Sequence, residues 1–310
     1  MSDFLQNQLT QKLPAVYEKK YPMLWGVSGE VIPVQSNPSL AGVEKLEAEY
    51  ASSAGKAKIY ADISQDIPLI STDTSRDDYK TFIAMLGAFW SIFDEERARV
   101  AGKDIVTRKM MAIRRGLDEK AHDMAVYGTD SHTGLLNSSL VPVINPTLDL
   151  DNAATTAQDL IDFFSTIMGT VEDQTEQVEM VDTVLVPYKV HRLFRTKTIG
   201  VATQSVLSYL IDNYGPMGGG TVRRILPRRE LSSDNLEANG VKAPGTNKDM
   251  IVLIPSNPDA MGMQVKGFTQ LPLTPNDTST GYTQVSYVAQ SEVMFHYPNS
   301  CLYVNIDKLT

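Results

Sequence analysis

Val106, Met110, Ile113, Leu117, Ala121 and Met124 recur at spacings of four, three, four, four and three residues. Only a helix gathers side chains at that spacing onto one face, so the stripe demands a long amphipathic helix with one side buried. Asp104 stands where an N-cap is needed, and Gly128 where a left-handed residue would end the helix. A helix over about residues 104–127 is roughly 30 Å long at about 1.5 Å per residue. Arg108, Arg115, Asp118, Glu119 and His122 fall on the opposite face, which predicts that they are solvated.

Upstream of this rod the pattern is looser. Residues 1–54 carry prolines at 14, 22, 33 and 38. Phe4, Leu5, Leu9, Leu13 and Val16 are spaced for a short amphipathic helix, but no sustained period follows. The segment reads as an extended arm with Tyr17, Tyr21 and Trp25 as aromatic anchors, ordered mainly by what it packs on. From 55 to 93 two strand-like halves flank a polar tip at 71–78, which is rich in turn formers and charge. The first half comprises 58–61 and 67–70; the second runs from 79 to 93 and includes Phe82, Ile83, Leu86, Phe89, Trp90 and Phe93. Together they predict a long hairpin. Asp94, Glu95 and Glu96 then open a short helix at its positive end, and Gly102 interrupts it.

Downstream, Gly134-Leu135-Leu136-Asn137 follows the helix as a turn delivering an apolar pair. Beyond Pro146, helical periods cover 157–168 and 206–214, and strand patterns cover 183–187, 222–226, 250–254, 264–269 and 282–289. Residues 292–297 and 302–306 are spaced as a terminal hairpin about Pro298-Asn299-Ser300. The class is α+β.

Composition narrows the function. An apolar content of 42% suits a packed globular chain, and a net charge of −9 argues against a dedicated nucleic-acid binder. The single cysteine, Cys301, excludes a disulfide framework and reads as a buried thiol. No secretory signal and no membrane span is expected, so folding in a cytoplasm is. His122, His132, His191 and His296 lack partners at metal-ligand spacing and are read as structural, the last two beside strands. Gly218-Gly219-Gly220 lacks the lysine of a phosphate loop, and Gly26-Val27-Ser28-Gly29 misses a nucleophile elbow by one position. Asp149 and Asp151 sit in a loop before a helix, where capping and solvation outweigh acid–base work. No catalytic, cofactor or metal residue is therefore assigned. Arg223-Arg224 and Arg228-Arg229 flank Ile225-Leu226-Pro227; a solvated strand edge, intersubunit pairing and DNA contact rank in that order.

The order arm, long hairpin, break, long helix, glycine-Leu-Leu-Asn turn and helix–strand lobe resembles the major capsid proteins of tailed bacteriophages. These share the Hong Kong 97-like fold with encapsulin nanocompartments. The residues that carry the resemblance are Ile67-Pro68-Leu69, Phe89-Trp90-Ser91-Ile92-Phe93, Asp94-Glu95-Glu96 before Gly102, Arg114-Arg115, and Gly128 followed by Gly134-Leu135-Leu136-Asn137. The resemblance implies an N-terminal arm (1–54), an extended loop laid over a neighbouring subunit (55–93), a peripheral domain (94–145 and 282–310) with the long helix as its spine, and an axial domain (146–281). It implies self-assembly of pentamers and hexamers into an icosahedral shell enclosing double-stranded DNA, in a virion assembled in the host cytoplasm. Scaffold, portal or decoration proteins are the expected partners; DNA is near but not specifically gripped, and neither cofactor nor membrane is involved. Arg76, Asp77, Asp78, Phe82, Phe89, Trp90, Phe93, Arg223, Arg224, Arg228 and Arg229 are the candidate subunit contacts. An encapsulin-type compartment is the alternative, and an α+β hydrolase a distant one.

Overall fold

The computed structural model describes residues 22–54, 71–100, 104–152, 154–200, 204–241, 245–275 and 280–309. Two sheets organise them. The first contains β1 (Val34–Ser36), β2 (Lys45–Ala54), β3 (Ser71–Ser91), β8 (Met261–Gln270) and β10 (Gly281–Ser291), in the order β1-β8-β10-β3-β2. Two short strands flank it: β9 (Thr274–Pro275) on β10 and β11 (Met294–Phe295) on β8. The second sheet has the order β4-β12-β7-β5-β6, with β4 Val143–Ile144, β5 Thr183–Val186, β6 Arg224–Pro227, β7 Lys248–Ile254 and β12 Leu302–Asp307. The helices are α1 (Ile92–Val100), α2 (Ile105–Val126), α3 (Ala157–Thr175), α4 (Tyr188–Thr196), α5 (Val206–Tyr214) and α6 (Ser233–Ala238).

α2 is the rod the spacing demanded. Asp104 caps it, its Oδ1 accepting from the Thr107 N–H at 2.9 Å. Ile113, Leu117 and Ala121 are buried against Trp90 of β3 and Val288 of β10. Trp90 lies opposite Tyr282, and the two rings stack at 5.7 Å. Burying each such large side chain contributes about 1.5–3 kcal/mol. At the far end Gly128 takes φ +64°, where a side chain would strain the backbone. The chain then doubles back, and the Leu135 and Leu136 N–H groups bond the Ala125 and Val126 carbonyls at 2.8 and 2.9 Å. Carbonyls left open by the helix end are thereby satisfied. Asn137 locks the turn, accepting from the Gly134 N–H and donating to the Thr129 carbonyl. Leu135 and Leu136 enter one apolar core; the second sheet with α3, α4 and α5 encloses another.

Several expectations are corrected. Residues 71–78 are not a turn: they form the outer part of β3, paired antiparallel with β2. β2 comes from the segment read as arm, whereas 58–61 and 67–70 lie outside the described residues. Residues 72–78 are exposed on both faces and have no apolar alternation, so this half looked like a loop. His122 is buried rather than solvated, and His191 lies on α4 rather than beside a strand. The final strands do not form a hairpin: β11 joins β8 in the first sheet, and β12 inserts between β4 and β7 in the second. β8, from the lobe beyond Pro146, pairs instead with β10 beside β3.

Candidate subunit-contact site

The outer half of the hairpin is a two-stranded ribbon registered from Lys45↔Lys80 to Ala54↔Ser71. One face carries alternating charge: Arg76 bridges Glu47 at 3.2 Å and Glu49 at 2.7 Å, and Lys45 meets Asp78 at 3.1 Å. Asp77 is exposed on the other face, opposite Ala48. Exposed pairs of this kind contribute little, about 0–1 kcal/mol each. They keep the ribbon soluble and in register without giving it a core.

Where the ribbon meets the body, side chains clamp it. The Tyr50 hydroxyl lies 2.9 Å from that of Tyr79 and 2.7 Å from His296 Nδ1. Burial holds the His296 imidazole below its usual range, so it is neutral at pH 7 and can accept from Tyr50. Beside it the Glu292 carboxylate accepts from the Lys80 N–H at 2.7 Å and the Thr133 N–H at 2.8 Å. The junction is therefore tied both to the strand after β10 and to the turn after α2. Sequence reading missed Tyr50, Glu292 and His296 in this role. The one signal was the alternation Lys45-Leu46-Glu47-Ala48-Glu49-Tyr50, which has the period of a strand.

Past the junction β3 becomes amphipathic. Ala84, Ala88 and Trp90 pack toward α2, while Ile83, Met85 and Phe89 are exposed on the opposite face. Phe93 and Val100 of α1 are exposed as well, at 61% and 88%. Of the aromatic candidates, Phe89 and Phe93 are thus available to a neighbour. Phe82 is half-buried with its ring 5.7 Å from that of His132, and Trp90, 2% exposed, belongs to the core and not to a contact.

The basic pairs also divide. Arg223 is exposed. Arg224 is spent within the chain, donating to the Glu30 carbonyl at 2.7 Å, Ser256 Oγ at 2.9 Å and Thr183 Oγ1 at 3.1 Å. Arg228 bonds the Glu30 carboxylate at 2.9 Å and covers the Trp25 ring at 4.9 Å. Arg229 donates to buried Glu230 at 2.9 Å, and Trp25 Nε1 donates to the same carboxylate at 3.1 Å. His122 Nδ1 accepts from the Gly26 N–H at 2.9 Å, leaving Nε2 3.6 Å from Glu230 Oε1, an electrostatic rather than a hydrogen-bonding distance. Burial works to raise the Glu230 pKa, but the contacts with His122, Arg229 and Trp25 outweigh it and hold the carboxyl at about 2. These groups fasten the chain around Trp25 to α2; they are a structural knot.

Cys301 is buried, and its burial pushes the thiol up to about 12, far from a reactive thiolate. Among the described residues no cluster of three or more His, Cys, Asp or Glu could hold a metal, and no helix is long and apolar enough to cross a membrane.

A rod-like helix under one sheet, a second sheet that shares one core with the first and encloses another with α3, α4 and α5, and a solvent-exposed two-stranded ribbon make up the architecture of the Hong Kong 97-like shell subunit. The chain belongs to the major capsid protein family, whose model matches residues 55–306. It is a shell-forming structural protein of the virion. Among solved structures it is similar to the capsid of Myoviridae phage XM1, with 15% identity, a TM-score of 0.77 and 97% of each chain covered. It is also similar to the capsid of a native GTA particle, with 10% identity, a TM-score of 0.61 and coverage of 97% of this chain and 96% of that one. A virus-like particle from Pyrococcus furiosus matches at 11% identity and a TM-score of 0.50, over 88% of this chain and 89% of that one. At these identities the likeness is one of fold. No curated protein matches the chain.

Proposed function

We propose that the protein assembles with copies of itself, as pentamers and hexamers, into an icosahedral shell around double-stranded DNA. The observation that carries this reading is β3: its outer half leaves the body as a ribbon with no core of its own, while its inner half exposes Ile83, Met85 and Phe89. A monomer gains nothing by holding such a ribbon in solvent. In a closed shell each patch meets a different patch on the next copy, and the ribbon enlarges that contact.

In this reading the ribbon is the extended loop, with Arg76, Asp77 and Asp78 from β3 and Lys45, Glu47 and Glu49 from β2 touching the neighbour. Phe89 and Phe93 add apolar area. Phe82 stands at the contact's edge, and Arg223 faces a neighbour or the packaged DNA. The sheet carrying β3 and β10, with α2 as spine, is the peripheral domain, now including β8. The lobe with α3, α4 and α5 is the axial domain, now including β12. The arm reaches adjacent subunits or scaffold. The protein catalyses nothing and takes no cofactor; scaffold, portal and decoration proteins are its other partners, and it assembles in the host cytoplasm. Negative-stain electron microscopy with light scattering on the purified chain tests this. Closed shells, or five- and six-membered rings, are expected. A monodisperse monomer that stays unassembled with crowding agent would overturn the reading. The likeness to the virus-like particle leaves a cargo compartment as a second reading, and shells that enclose a protein cargo and exclude DNA would select it.

A further inference from the structure

α3 ends with the wrong charge. Glu172 and Asp173 stand in its last turns and Glu176 is its C-cap, with φ +51°. All three are exposed, and no basic residue occupies the last turn. The carboxylates therefore crowd the negative end of the helix dipole, which favours cations by about 0.3–1 kcal/mol each and disfavours anions to match. None of the three has an ion-pair partner among the described residues.

α4 carries the opposite excess. Arg192 and Arg195 are exposed, three residues apart on one helix face, and neither has an ion-pair partner among the described residues. With Tyr188, Lys189, His191 and Pro227 they line a groove of about 590 Å³. Lys189 is already engaged by the Leu309 carbonyl. Burial and then the charge of Arg195 hold His191 below its usual range, so at pH 7 the positive charge in the groove comes from the arginines together with Lys189. The two arginines thus stand side by side on α4 in a chain of net charge −9.

Resting on the shell reading, we propose that these two clusters meet between copies: Arg192 and Arg195 of one subunit grip Glu172, Asp173 and Glu176 of the next copy around a ring. α5 packs against both α3 and α4, placing both clusters on the same lobe, yet no ion pair joins them within the chain. A basic patch and an acidic patch at different places on one lobe are what a head-to-tail ring contact requires. Arginine suits it, since its planar fork pairs with carboxylates in a fixed geometry and so sets the angle between neighbours as well as their affinity. The contact also relieves the charge conflict at the end of α3.

Charge exchange tests the pairing. Three full-length variants would be assembled beside the wild type: R192E/R195E, E172K/D173K/E176K, and the two sets combined. Circular dichroism and thermal melting would first establish that each is folded. Either set alone should lower the assembled fraction about tenfold or more, the effect of losing about 1.4 kcal/mol per contact, and the combined variant should recover assembly. Normal shells from R192E/R195E would overturn the contact; if those shells also retained less DNA, the arginines would belong to phosphate instead. A folded combined variant that fails to assemble would overturn it too. Failure of the wild type under the same conditions would sink the shell reading itself and this contact with it.

Discussion

Glu230 shows what a single buried carboxylate does for this fold. Its pKa of about 2 in the folded chain stands against an ordinary value of 4.5. A depressed acid stabilises the native state fully above its unfolded value, and that stability drains as pH falls from 4.5 toward 2. The difference is on the order of 3 kcal/mol. Glu230→Gln keeps the shape but leaves Arg229 and Trp25 with a neutral partner. The variant should melt lower at pH 7 and show a shallower acid-induced decline between pH 4.5 and 2. Melting curves taken across that range would show it; two profiles that fall in parallel would mean that other groups carry the acid sensitivity. His122 belongs to the same knot, and its burial could not be read from the helix period. It lies one position past Ala121 of the buried stripe, and only the chain around Trp25, packed over it from far away in sequence, takes it out of solvent.

At the scale of elements, β3 divides into a half that packs and a half that reaches. Met85 and Phe89 on the packed half's outer face touch no core. M85S/F89S should therefore change the melting temperature of the isolated subunit little, within about 0.5 kcal/mol. It should nevertheless weaken assembly, as followed by light scattering against concentration. Equal assembly curves would remove this face from the contact. Several elements with a buried face were legible in sequence, but α4, which buries Val190 and Phe194, was not. α2, the inward side of α3 at Leu160, Ile161, Phe164 and Ile167, and the Gly128 cap all followed from period and chemistry. The outer hairpin was not, because residues 72–78 are exposed on both faces and carry no period to detect, while the short alternation of 45–50 in β2 sits in a segment otherwise without one. The pairing of β12 with β4 and β7 was not legible either. Its apolar residues 302–304 announce a buried strand without saying which of two sheets receives it. Among the candidate contact residues, sequence could not tell Trp90, facing α2, from Phe89, facing away. A single-residue shift in a strand reverses that answer.

The whole subunit is a body with a separable appendage, and the two can be dissociated experimentally. Removing residues 53–72 and closing Ser52 to Asp73 through an Asn-Gly turn keeps the inner register and the Tyr50–His296 clamp. Such a subunit should fold and melt like the full chain yet form no closed particles by electron microscopy. Normal shells would show that the ribbon is dispensable. The continuity of β3 carries a further consequence. Its 21 residues extend about 70 Å at roughly 3.3 Å each, and no break separates the part that leaves the body from the part that lies beneath the spine helix. The strand is a beam with one end built in and the other free. A load placed on the free end by a neighbour is resisted at the support, where Tyr50, Tyr79 and Glu292 hold it, and the remainder is felt as torque on α2. Stiffness at that support thus sets how far one copy can tilt before its neighbour must follow, which makes curvature a property shared between subunits.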